Sequence, residues 1–135
     1  MSAAVDVSSS DASPHFQPFT DRDTGRREAM PPVRRSFLAI VGGRRHYAAA
    51  ELLQQVIYLI EWRDCRSLSV RYLADNLDCH RDVIQTAKSR LLELGFIQLS
   101  KGSGVGGADR WYLCVDAILE ALDAAGYEAT RAQLL

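Results

Sequence analysis

The stretch between residues 69 and 111 constrains this chain most, because two helical patterns joined by a tight turn lead directly into a hairpin pattern. Apolar residues recur at helical spacing on both sides of a turn at residues 78–79, and Gly95 ends the second pattern. Asp78 suits the turn because aspartate tolerates left-handed backbone angles. The two apolar stripes are Leu73, Ala74 and Leu77, followed by Val83, Ala87, Leu91 and Leu94.

The residues after Gly95 change to the pattern of two short strands around a flexible, glycine-rich turn. The strand-like segments are FIQLSK and DRWYLC, and the loop between them is GSGVGGA. Ahead of the first helix, Ser69 stands where an N-cap residue is expected.

This block resembles a winged helix-turn-helix domain of the bacterial MarR-like kind, over about residues 47–125. The resemblance implies a mainly helical fold with a small β-hairpin, in which a three-helix core carries the hairpin as a wing. It also implies that the short segment 66–68 pairs with the wing. An extra C-terminal helix is predicted by the apolar residues Val115, Ile118, Leu119, Leu122 and Ala125, with Gly126 as its left-handed cap.

Composition divides the chain into four parts. All four prolines lie within the first 32 residues, and residues 1–33 are predicted to be a disordered tail. Residues 34–46 form either a basic and apolar arm or a short strand. The apolar run FLAIV is too short for its periodicity to distinguish the two. The winged helix-turn-helix domain then covers 47–126, and 127–135 form a C-terminal extension.

The first helix of the core is predicted over residues 47–62. Gln54 and Gln55 are expected on the polar side, largely opposite the apolar face. Because Ile57, Tyr58 and Trp62 widen the apolar surface, either both flanks of the helix are packed or part of it meets another subunit. The main apolar face consists of Ala49, Leu52, Leu53, Val56, Leu59 and Ile60.

A recognition helix over about residues 80–94 is the first predicted site for double-stranded DNA, because polar side chains between its apolar positions could reach the major groove. Glutamine can pair with adenine and arginine with guanine, whereas Lys88 and Ser89 are better suited to phosphates. His80 is expected to cap this helix. The candidates are His80, Arg81, Gln85, Thr86, Lys88 and Ser89.

The wing, over about residues 96–114, is the second predicted DNA contact, on the adjacent backbone or minor groove. Its candidates are Lys101, Ser103 and Arg110. Between Arg63 and Arg110 there are eight basic and six acidic residues, a net charge of +2. So small an excess predicts useful affinity only for two copies on two half-sites, and we expect a homodimer through helices 47–62 and 115–125. The pairs Arg34-Arg35 and Arg44-Arg45 are either solvated charges or parts of an arm on DNA.

Other classes of protein have little support in the sequence. No catalytic triad, Cys-His pair or carboxylate cluster emerges, so we expect no enzyme. The three cysteines lack the spacing of a metal site or a disulfide framework, and no apolar run reaches membrane-spanning length, so we expect a cytoplasmic protein. The spacing of Gly102, Gly104 and Gly107 matches a dinucleotide fingerprint but lacks the helix that must follow it, and we predict no cofactor.

The leading hypothesis is therefore a small transcriptional regulator that binds specific DNA sequences. The alternative is a winged-helix adaptor that binds protein within a replication, defence or other multisubunit complex, which the overall net charge of −1 favours. Fold alone does not choose between the two. A minor further hypothesis is oxidant sensing by Cys79, if Arg81 and the helix N-terminus stabilise its thiolate.

Overall fold

Helices dominate the computed structural model, which describes residues 32–130 and Leu134. The predicted tail, 1–33, lies outside the described residues except for its last two positions. A two-stranded antiparallel hairpin completes a mainly helical fold. The elements are α1 (Arg35–Val41), a 3-10 turn (Arg44–His46), α2 (Tyr47–Ile57), a π-helical turn (Tyr58–Trp62), α3 (Val70–Leu77), α4 (Arg81–Glu93), β1 (Ile97–Ser100), a 3-10 turn (Val105–Gly107), β2 (Arg110–Leu113) and α5 (Val115–Ala124).

Helix α2 is the centre of the core and packs against both α1 and α4. Its predicted apolar face is buried as expected, and so are Ile57 and Tyr58, so the helix is packed on both flanks at these positions. Trp62, the third residue that widens the apolar surface, is 37% exposed. The expectation that Gln54 and Gln55 lie on a polar, exposed side is wrong, because both are buried. Gln54 is accommodated by a hydrogen bond in which its Oε1 accepts the Arg34 N–H at 3.1 Å.

The alternative prediction that residues 34–46 form a short strand is wrong. Residues 35–41 form α1, which buries Phe37, Ile40 and Val41. These three side chains recur at helical spacing and cover a flank of α2, which a five-residue strand with no partner could not do.

Helices α3 and α4 meet at the predicted tight turn. The Ser69 hydroxyl caps α3 by accepting the Tyr72 N–H at 3.0 Å, and Asp78 adopts the left-handed conformation with φ 56°. In α4 the buried stripe is Ile84, Ala87 and Leu91, whereas Val83 is 39% exposed. The prediction that Val83 lies in the buried stripe is therefore wrong, because burying residues 84, 87 and 91 against α2 and α3 turns position 83 toward solvent.

The hairpin is fastened to the helices through Trp111. Strand β1 pairs with β2 in a register that joins Ile97 to Leu113 and Ser100 to Arg110. Segment 66–68 pairs with the outer side of β2 through an isolated antiparallel bridge, as predicted. The Trp111 N–H donates to the Arg66 carbonyl at 2.8 Å, and the Leu68 N–H donates to the Asp109 carbonyl at 3.1 Å. The fully buried indole of Trp111 also donates from Nε1 to the Leu68 carbonyl at 2.9 Å.

Helix α5 returns to the core through Val115, Ile118 and Leu122, and it contacts α1. The predicted left-handed cap is confirmed at Gly126, whose φ is 88° and after which the Tyr127 N–H bonds the Leu122 carbonyl at 2.8 Å. Residues 127–130 continue without regular structure, and Leu134 is buried. No helix in the described part of the chain has both the length and the apolar character needed to cross a membrane.

The end of α1 is held by a contact with α4. Gly42 terminates α1 with φ 109°, and the Arg90 guanidinium donates from Nε to the Val41 carbonyl at 3.0 Å. Arg90 also bonds Glu93 at 2.9 Å, so its position is fixed from two sides. A Cβ on Gly42 would lie 2.7 Å from Arg90 Nη2 and 2.9 Å from His46 Cδ2. Glycine suits this position because of its positive φ, and any other residue would in addition displace the side chains of Arg90 and His46.

We expect Trp111→Phe to lower the free energy of unfolding by about 2–4 kcal/mol, since it leaves the Leu68 carbonyl without its donor and leaves a cavity beside it. Urea unfolding followed by far-ultraviolet circular dichroism measures the loss. Tyr112→Phe is the matched control, because Tyr112 is exposed on the same strand and its change should stay within about 0.5 kcal/mol. Equal losses in the two variants would contradict the anchoring role of Trp111.

We expect Gly42→Ala to cost about 2–3 kcal/mol, because it adds overpacking against Arg90 and His46 to the strain of a left-handed alanine. The matched control is Gly126→Ala, which ends a helix at a similar positive φ but has no atom within 4 Å of its added Cβ. That variant should lose only about 1 kcal/mol of stability. If both lost the same amount in urea, the contact between the Gly42 region and α4 would not matter for stability.

Candidate nucleic-acid interface

The solvent face of α4 carries most of the predicted recognition residues. Five of the six are exposed, and the helix beneath them is fixed by its buried stripe. Two carboxylates, Asp82 and Glu93, share this face. The exposed candidates are His80, Arg81, Gln85, Thr86 and Ser89.

His80 caps α4 as predicted. Its Nδ1 accepts the Asp82 N–H at 3.1 Å and lies 3.5 Å from the Asp82 carboxylate. The cap occupies Nδ1 and leaves Nε2 as the ring nitrogen that can face a ligand.

Lys88 differs from the other candidates because its side chain is only 14% exposed. Its Nζ lies 3.8 Å from Asp109 Oδ2, so the charge is balanced across the contact between α4 and the hairpin. This geometry does not support the phosphate contact predicted for Lys88. Sequence reasoning missed the pairing because Lys88 and Asp109 are far apart along the chain.

The glycine-rich loop folds back on segment 66–68 instead of forming an open turn. The Gly102 N–H donates to Asp109 Oδ1 at 3.1 Å, and the Val105 N–H donates to the Ser67 hydroxyl at 3.0 Å. Within the loop, the Gly104 N–H bonds the Ala108 carbonyl at 2.7 Å. A Cβ on Gly104 would lie 2.7 Å from both that carbonyl and Ser67 Oγ, so glycine is required at this point of close approach.

The three predicted wing residues are all exposed, with different local roles. Ser103 donates its hydroxyl to the Ser100 carbonyl at 3.1 Å and so closes the turn after β1. The Arg110 guanidinium lies 5.8 Å from the centre of the Tyr112 ring, which orients it along the outer face of β2. Lys101 forms no ion pair with any residue of the described chain. Lys101 and Arg110 are therefore the two cations of the hairpin region that are available to a ligand.

A group that the sequence left undecided lies beside α4. The 3-10 turn Arg44–His46 is here called the basic turn. Its residues Arg45 and His46 form one wall of a cleft of about 300 Å³ whose other wall is α4. The signal in the sequence was the pair Arg44-Arg45, but only the fold brings it next to the predicted recognition helix. The cleft is lined by Arg45, His46, Ala48, Ala49, Asp82, Val83, Thr86, Ala87 and Arg90.

The electrostatics of this cleft are set by its arginines. The pKa of His46 lies below its ordinary value, first because of desolvation and then because of the charges of Arg90 and Arg45. The charge of Glu93 opposes this shift, and the net effect favours the neutral imidazole. The cationic character of the cleft comes from arginine.

Cys79 does not have the environment that oxidant sensing requires. Burial, together with the charges of Glu51 and Asp78, raises the pKa of its thiol. This direction is opposite to the one that a thiolate stabilised by Arg81 and the helix N-terminus requires. Within the described residues, no three His, Cys, Asp or Glu side chains come close enough together to hold a metal ion.

Comparison of the chain with models of protein families, with curated proteins and with solved structures found no match.

Proposed function

We propose that this protein is a winged helix-turn-helix DNA-binding protein that acts as a small transcriptional regulator. Helices α2, α3 and α4 are its three-helix core, and the hairpin β1–β2 is its wing. The observation that carries the proposal is the arrangement of α4, whose buried stripe holds it rigidly while Arg81, Gln85 and Thr86 remain exposed on the other side. A helix that enters the major groove needs both properties.

The wing supports the same proposal. Lys101 and Arg110 lie at its two stems, and pairing with segment 66–68 holds the hairpin against the helical core. A positive hairpin beside a recognition helix is suited to phosphates or to the adjacent minor groove. In this arrangement Arg81 and Gln85 read bases, whereas Ser89 and the wing cations contact the backbone.

The small charge excess limits the affinity of one copy. We propose that two copies bind two half-sites as a homodimer. Because Tyr47 is the one exposed residue of α2, the interface would be formed mainly by the exposed side of α5. Symmetric dimers of this kind read half-sites about one helical turn of DNA apart.

The test is fluorescence anisotropy with a pool of duplex DNA, followed by selection of the preferred sequence. We expect the double change Arg81→Ala and Gln85→Ala to reduce the preference for the selected duplex over a scrambled one by about 10-fold or more, since each lost base contact is worth about 1–3 kcal/mol. Gln98→Ala is the control, because Gln98 is exposed on β1 at the end away from the loop. Absence of DNA binding at low salt, or unchanged sequence preference in the double variant, would overturn the proposal.

A second candidate function is supported by the apolar and acidic groups on the same helix. Val83 is 39% exposed and Leu92 is 40% exposed, and both lie near the carboxylates Asp82 and Glu93. Such a surface suits a protein partner in a multisubunit complex. A strict monomer in light scattering that binds no duplex DNA would favour this adaptor function.

A further inference from the structure

We propose that the basic turn, Arg44–His46, is a DNA-backbone contact in which Arg45 binds a phosphate beside the recognition helix. This inference rests on the proposed DNA binding and adds a third contact to α4 and the wing. The DNA strand that it contacts is the one flanking the major groove on the side of α4 opposite the hairpin.

The available charge is the first reason. Lys88 is paired with Asp109, Arg90 is held by Val41 and Glu93, and Arg66 is paired with Asp64. These three cations therefore already have partners within the described chain. In contrast, Arg44 and Arg45 are exposed and form no ion pair with any residue of the described chain. The basic turn therefore provides unneutralised positive charge next to α4.

The shape of the cleft is the second reason. Its floor is apolar, from Ala48, Ala49 and Ala87, and its rim carries the polar groups of Arg45 and Thr86. A sugar–phosphate unit has the same combination, because the carbon face of deoxyribose is apolar and the phosphate is charged. Seating the sugar against the alanines brings the phosphate to the rim, where arginine can bond it bidentately.

The contacts of Asp82 and Arg90 set where the phosphate lies. Asp82 is the one carboxylate that lines the cleft, at the first turn of α4, and it disfavours an anion at that end. Arg90 lies at the other end and adds positive potential although it is hydrogen-bonded to Val41 and Glu93. The phosphate site is therefore displaced from Asp82 toward the basic turn.

The position of the basic turn is fixed before DNA arrives. Gly42 allows α1 to approach Arg90 and His46 closely, and the His46 N–H donates to the Gly43 carbonyl at 3.0 Å. A preorganised contact of this kind loses little conformational entropy on binding. This feature distinguishes the basic turn from a mobile basic arm.

The experiment measures binding of the full chain to its preferred duplex, and to a scrambled duplex, over a series of salt concentrations. We expect Arg45→Ala to weaken binding to both duplexes equally, by about 3- to 10-fold, and to reduce the slope of log affinity against log salt by about 1. Arg45→Lys should retain the slope, because a phosphate contact requires the charge. Arg35→Ala is the control: it removes the same charge from an exposed position at the opposite end of α1, and it should change neither quantity.

The outcomes separate this inference from the proposed function. If the unaltered protein binds DNA but Arg45→Ala behaves like Arg35→Ala, the phosphate contact is overturned and DNA binding stands. If Arg45→Ala changes sequence preference instead of salt dependence, the basic turn reads bases and the inference is also overturned. If the unaltered protein binds no DNA at low salt, the proposed function fails, and this inference fails with it.

Discussion

The burial of Trp111 is the interaction on which the geometry of the domain depends. Its backbone N–H and its indole N–H both donate to segment 66–68, so one residue joins β2 to the chain that leads into α3. A hairpin of two four-residue strands is only marginally stable alone in water. The indole removes a large apolar area from solvent while its polar atom stays hydrogen-bonded. The hairpin therefore takes its position from the helical core.

The basic residues fall into two groups with different physical roles. Arg90 and Lys88 lie between secondary-structure elements, where each has a hydrogen-bonding or ionic partner and little solvent. Arg45 and Arg81 lie on the surface and form no ion pair with any residue of the described chain, so their charges remain available. Residues of the same formal charge therefore differ in availability, because Glu93 and Asp109 are paired with the first group. Summed charge is a poor guide to binding in such a domain.

Sequence periodicity predicted most of the architecture, and its failures have identifiable causes. The Ser69 cap, the turn at Asp78 and the pairing of segment 66–68 follow from local chemistry or from short-range pattern, and all are present. Local pattern failed at Gln54 and Val83, because their burial depends on α1 and on the angle at which α4 packs. The basic turn was recognisable in the sequence as the pair Arg44-Arg45. Its neighbours depend on the contact between Gly42 and Arg90, which are 48 residues apart in the chain, and no local pattern predicts that contact.

The ion pair between Lys88 and Asp109 has a mechanical consequence. Asp109 also accepts the Gly102 N–H, so the same carboxylate closes the base of the loop and ties the hairpin to α4. The orientation of the hairpin relative to α4 is thus held by contacts within the fold, through this carboxylate and through the pairing with segment 66–68. Removing the Asp109 carboxylate would break the contact with α4 and open the base of the loop at the same time.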